Sequence, residues 1–201
     1  MDGGPWRAQR VGQPLGGTDQ TGGARLFAHR HDHPLARRKA ARQRMGADIV
    51  EHLGIDRLGG AIFERFGRLD VWVQAAATMG PSGLTPVSHA DPRVWAKVEK
   101  TNFTAVYRLI RSLEPLLKVS DGGRAVYLTT SVAAAPKAFW GMYAATKAGA
   151  EALVKAWADE IESTPVRVSI VDPGRMRTAM RAQAFPGEDP QTLPHPSEIG
   201  P

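Results

Sequence analysis

The sequence predicts an α/β domain on a doubly wound parallel sheet that is incomplete at its N-terminal side. Three observations predict it. From residue 55 onward, short apolar runs alternate with long segments of helical periodicity. The first two runs end in small or hydroxylated residues and the third in a sharp turn, as buried parallel strands do at a ligand crevice. Strands and helices alternating on this length scale imply right-handed crossovers and a sheet covered on both faces.

Ile55, Leu58, Ile62 and Phe66 fall on one helical face, and Gly67 stops that helix. Leu69-Asp70-Val71-Trp72-Val73 then reads as a buried parallel strand, followed by a loop with Gly80, Pro81, Gly83 and Pro86. Asp91 is the N-cap and Pro92 the first turn of a long helix running to about residue 119. Trp95, Val98, Asn102, Val106, Leu109 and Leu113 mark one face of it. After the turn Asp121-Gly122-Gly123, residues 125–129 form a second buried strand with Thr130 and Ser131 at its tip. A helix over about residues 142–162 follows, and residues 166–171 alternate as a third strand into the turn Asp172-Pro173-Gly174.

Composition divides the chain at residues 1–52, 53–185 and 186–201. Residues 1–48 contain eight large apolar side chains without a sustained period, too few to offset the entropy of ordering them. Residues 1–52 are therefore expected to lack regular structure, and the abrupt change of texture fits an out-of-frame origin for them. Residues 186–201 read as an irregular tail that adds no closing strand and leaves a sheet edge open. Of the net charge of +6, most sits at the start: residues 1–48 hold nine Lys and Arg against four Asp, and the remainder is nearly neutral.

A nucleic-acid partner is accordingly not expected, and the run Arg37-Arg38-Lys39 with Arg42 and Arg44 reads as solvated charge. No apolar stretch approaches membrane-spanning length, so no membrane partner is expected. Absence of cysteine removes disulfides and thiolate metal sites and agrees with a cytoplasmic location. His29-Arg30-His31-Asp32-His33 has ligand chemistry but no scaffold around it, and no metal site is assigned.

The chemistry-bearing residues are Tyr143 and Lys147, four apart on one helix face, preceded by the hydroxyls of Thr130 and Ser131 at a strand tip. A nearby ammonium favours the phenolate and lowers a phenol pKa that starts near ~10, which makes Tyr143 an acid/base for an alcohol or carbonyl oxygen. A strand-tip hydroxyl holds the same oxygen, so the protein contributes positioning and proton transfer.

A strand, a Ser or Thr, about a dozen residues and then Tyr-x-x-x-Lys resembles the signature of the short-chain dehydrogenase/reductase family, over about residues 55–193. The resemblance implies a Rossmann-like fold, an NAD or NADP cofactor that supplies the hydride, and a small carbonyl or alcohol substrate. It also implies homo-oligomers formed through the two long helices. By the same resemblance, Asn102 serves a water-linked proton relay through Lys147, and Lys147 binds the nicotinamide ribose. Pro173, Gly174, Met176 and Thr178 match the element contacting the nicotinamide carboxamide or phosphates, and Ala76 lines the adenosine ribose. The family's serine, thirteen residues before its tyrosine, falls on Thr130, whereas the local string favours Ser131; strand alternation lets one of them face the substrate.

Two departures stand out. Gln74-Ala75-Ala76-Ala77 replaces the family's Asn-Asn-Ala-Gly, and the added methyl at Ala77 crowds the cofactor. Thr-Gly-x-x-x-Gly-x-Gly, which brings a pyrophosphate to a helix N-terminus, is present nowhere, and Thr21-Gly22-Gly23 does not substitute for it. Two functions follow as expectations: an oxidoreductase working through Tyr143, Lys147 and Ser131 or Thr130, or an inactive remnant that acts at most as a subunit partner.

Overall fold

Apolar periodicity becomes packing through three helices laid on one face of a four-stranded sheet. The computed structural model describes residues 7–10 and 52–199. Helix α1 (His52–Phe66) turns Ile55, Leu58 and Ile62 toward Leu109, Leu113 and Leu116, and Gly67 ends it in the left-handed region, donating its N–H to the Phe63 carbonyl at 2.8 Å. Phe66, expected on the apolar face, is exposed instead, stacked under Arg65 at the end of the helix.

Strand β2 (Val71–Gln74) pairs parallel with β3 (Arg124–Leu128), and β3 pairs parallel with β4 (Arg167–Asp172). In register, Trp72, Ala125 and Val168 share one face with Gln74, Tyr127 and Ile170. Val106, Ile110 and Leu117 pack on that face together with Ala150, Val154 and Trp157. Each fully buried aliphatic side chain there contributes on the order of 1.5–3 kcal/mol relative to exposure. The opposite face is more open, with Val71 and Val73 at 57 % and 55 % exposure. Among the described residues the sheet is thus covered by long helices on one face, not on both as expected.

Strand β1 (Arg7–Arg10) pairs antiparallel with β4, Arg7 opposite Asp172, so the sheet order is β1-β4-β3-β2. It lies inside the segment expected to lack regular structure and makes one edge of the parallel sheet antiparallel. An edge strand takes its stabilisation from main-chain pairing and tolerates charged side chains, so no apolar pattern announced it.

The long helix after β2 is three pieces. Asp91 caps α2 (Pro92–Glu99), its carboxylate accepting from the N–H groups of Arg93 and Val94 at 2.7 and 3.3 Å. Lys100–Thr104 widens into a π turn in which the Ala105 N–H donates to the Lys100 carbonyl, and α3 (Ala105–Val119) continues. Beyond β3 come the short α4 (Ser131–Ala134) and the long α5 (Gly141–Glu160); beyond β4 comes α6 (Ala179–Ala184). Among its described residues the tail carries 3-10 turns at Pro190–Thr192 and Pro196–Ile199. No helix among the described residues is long and apolar enough to cross a membrane.

Gly123 sits where α3 hands over to β3. A Cβ there would meet the Leu117 carbonyl oxygen at 2.6 Å, and that oxygen already accepts from the Ser120 N–H. Gly123→Ala should destabilise the fold by about 1–3 kcal/mol, read as a lower urea midpoint at unchanged slope. An unchanged midpoint would contradict this packing.

Candidate active site

Parallel pairing brings the C-terminal ends of β2, β3 and β4 to one sheet edge, where open α/β sheets bind ligands. A cleft of about 410 Å³ lies there. Thr130, Ser131, Tyr143, Lys147, Pro173, Gly174, Met176 and Thr178 all line it, so eight residues singled out in the sequence meet in one space. Two do not. Ala76 is exposed and its neighbours Ala75 and Ala77 line the cleft in its place, while Asn102 lies away from it.

Asn102 is 1 % exposed, at the centre of the π turn. Its amide nitrogen donates to the Thr78 carbonyl at 2.8 Å and to Thr146 Oγ1 at 3.1 Å, and its oxygen accepts from the Thr78 N–H at 2.8 Å. These bonds tie the loop after β2 to α5, between Tyr143 and Lys147.

Both candidate residues line the cleft, beyond the end of β3 at Leu128. Thr130 is extended at the N-cap of α4 and Ser131 already belongs to its first turn, so the expected alternation does not separate them.

Lys147 is 3 % exposed. Its Nζ donates to the Leu128 carbonyl at 2.6 Å and stands 4.1 Å over the Tyr127 ring. Burial lowers its pKa to about 8, opposed by the charge of Glu151 one helical turn on. Glu151 accepts from Thr129 Oγ1 and pairs with Lys155 at 2.7 Å.

Tyr143 is half-buried, and its pKa is raised: burial contributes most, and the Asp172 carboxylate adds to it. The expectation that Lys147 lowers this pKa is not met: burial and Asp172 raise it, while the ammonium lies against the Leu128 carbonyl and the Tyr127 ring. Asp172 ends β4 and accepts from the Gly174 N–H at 2.9 Å. Sequence reasoning missed both carboxylates. Glu151 was recoverable from its four-residue spacing after Lys147, whereas the influence of Asp172 on Tyr143 depends on tertiary proximity.

The nicotinamide end of a dinucleotide fits this space. Gly174 has a φ of 73° with nothing within 4 Å of a Cβ position, so the turn after β4 leaves its backbone open to a ligand. The cleft volume is in the usual range for small-molecule sites. The His29–His33 cluster and the basic run after it lie outside the described residues, as does Thr21-Gly22-Gly23.

Residues 23–189 match the short chain dehydrogenase family, which is most of the chain. The chain belongs to that family. The match begins well ahead of residue 55, where the motif resemblance began. Among curated relatives, the uncharacterized oxidoreductase YciK of Escherichia coli K12 is 40% identical over 145 residues, covering 72% of this chain and 56% of that one. A short chain dehydrogenase of Shigella flexneri 2a, solved in complex with NADP, superposes with a TM-score of 0.70 at 39% identity, over 74% of this chain and 61% of the other. One from Salmonella enterica serovar Typhi gives a TM-score of 0.72 at 36% identity, over 76% and 63%. The chain thus spans a little over half the length of the relatives it matches. Their common architecture is the Rossmann-like sheet whose strands β2 to β4 are described above.

Buried Lys147 makes stability pH-dependent. Its folded pKa of about 8 lies below the ordinary 10.5, so between these values the unfolded chain binds more protons and stability rises with pH. The gain should be on the order of 2–3 kcal/mol between pH 8 and 10 in urea titrations, and Lys147→Met should flatten it. A wild-type curve that falls over this interval would refute the assignment.

Proposed function

We propose that the protein interconverts a small-molecule carbonyl and an alcohol using NAD or NADP. The observation that carries this reading is the single cleft lined by the Tyr143 phenol, the Lys147 ammonium, two strand-tip hydroxyls and the turn after β4. Relatives solved in complex with NADP, from Shigella flexneri, and with NADPH, from Escherichia coli CFT073, support the cofactor class.

Bound NAD(P)H supplies the hydride. Burial keeps the Tyr143 phenol protonated at neutral pH, so it is poised to donate a proton to the substrate oxygen during reduction. In the reverse direction the phenolate must form first, and oxidation gains as pH rises. Ser131 or Thr130 donates a hydrogen bond to the same oxygen and fixes the reacting carbon. Lys147, charged below about pH 8, would hold the ribose hydroxyls. Met176 and Thr178 would hold the nicotinamide from the turn after β4, whose conformation the Gly174–Asp172 contact fixes. Asn102 enters as a brace for α5, acting through Thr146.

The same reading includes a cytoplasmic location and homo-oligomers meeting through α2, α3 and α5. A shallow groove of about 170 Å³ with Trp95, Phe103 and Gly149 in its walls, and the exposed Tyr107 ring, support the latter.

Tyr143→Phe should lower ketone reduction by about 10²–10⁴-fold with an unchanged melting temperature, and reduction by the wild type should hold level through neutral pH. Wild-type turnover in this variant would overturn the proposal, as would failure of NADH and NADPH to bind at millimolar concentration by fluorescence. Ser131→Ala and Thr130→Ala assayed side by side assign the hydroxyl: the substrate-orienting one costs turnover, and its neighbour leaves it within a few-fold.

A further inference from the structure

The redox reading uses only part of the cleft lining. Among those unused are Trp140, Met180, Arg181 and Phe185, together with Arg175 and the exposed Lys137. The Trp140 ring centroid lies 5.9 Å from that of Tyr143, and the Phe185 centroid lies 6.0 Å from that of Trp140. A row of aromatic rings therefore leads away from the phenol in two steps.

The backbone fixes the start of this row. Phe139 has a φ of 71°, a region that bulky side chains rarely adopt and that persists only where surroundings over-determine it. Its carbonyl accepts from the Thr85 N–H at 3.1 Å. Two residues on, a Cβ at Gly141 would come within 2.3 Å of Val87 Cγ2, so both flanks of Trp140 are pinned against residues 85–87. Phe139 itself is 55 % exposed, and the conformation turns the next ring into the cleft.

The far end is held as firmly. The Arg181 guanidinium stacks 3.7 Å from the Phe185 centroid, and Glu188 meets it with two bonds of 2.5 and 2.6 Å. Arg181 thus clamps Phe185, and its charge is already paired. What the row presents is apolar aromatic surface two rings long, the rings inclined to one another by 36°, which a small polar substrate would leave wet and a bicyclic body would cover.

We propose that this row is a substrate subsite for carbonyl compounds with a two-ring apolar body, seated on Trp140 and Phe185 with the carbonyl at Tyr143. The placement of the carbonyl rests on the redox reading above; the ring seat stands on its own geometry. Titration calorimetry with 1-tetralone, against dihydroxyacetone as the small polar control, tests it on the full chain. Tetralone should bind at least tenfold more tightly than the control. Trp140→Ala and Phe185→Ala should each weaken it by about tenfold, the effect of losing one ring contact. Trp140→Phe should retain most of the affinity, separating loss of the ring surface from misfolding, and Tyr143→Phe should leave binding within a few-fold. Equal affinity for the two ketones, or tetralone affinity unchanged in both alanine variants, overturns the subsite. Tetralone that binds as expected but is not reduced with NADH or NADPH sinks the redox reading and leaves the ring seat standing.

Discussion

Parallel strand pairing is the constraint from which the site follows. Because β2, β3 and β4 run the same way in matched register, Gln74, Leu128 and Asp172 end at one edge, and each crossover must return over a sheet face. Helices α3 and α5 make those returns and bury Val106, Ile110, Ala150 and Val154 against Tyr127 and Ile170. The burial that holds the sheet also fixes the start of α5, where Tyr143 and Lys147 sit. Stability and site geometry share the same contacts.

What was readable in the sequence was whatever has a local period. Tyr143 and Lys147 sit one turn apart on a helix, Asp91 and Pro92 open one, and Gly67 closes one; each follows from near-neighbour geometry. Features set by distant contacts were not readable. Residues 7–10 join the sheet through main-chain pairing that leaves no apolar trace, and Val71 and Val73 look like buried strand residues yet face outward. Thr130 and Ser131 both line the cleft because the strand stops one residue earlier than expected, which depends on how α4 begins. Trp140 and Phe185 occupy irregular segments and come together only in three dimensions.

The electrostatics of the cleft reverse a simple pairwise expectation. A lysine one turn from a tyrosine ought to acidify it, yet desolvation acts on both groups, lowering the ammonium and raising the phenol. The Leu128 carbonyl and the Tyr127 ring compensate the buried ammonium, Glu151 supports its charge from the next turn, and Asp172 opposes ionisation of the phenol. Both groups therefore favour their neutral forms more than they would in water.

The π turn at Lys100–Thr104 has a consequence for how this chain tolerates length changes. It inserts an extra residue between α2 and α3; Val98 and Val106 both reach the core, and Asn102 meets Thr78 and Thr146. Removing one residue would close the wide turn into ordinary helix and leave Val98 and Val106 seven apart, about 700° of winding and still on one face. Leu109, Leu113 and Leu117 would keep their partners, and the loss would fall on Asn102 and its ties to Thr78 and Thr146. In this segment the filled interior does not require the extra residue; what the residue adds is a buried amide linking the loop after β2 to α5.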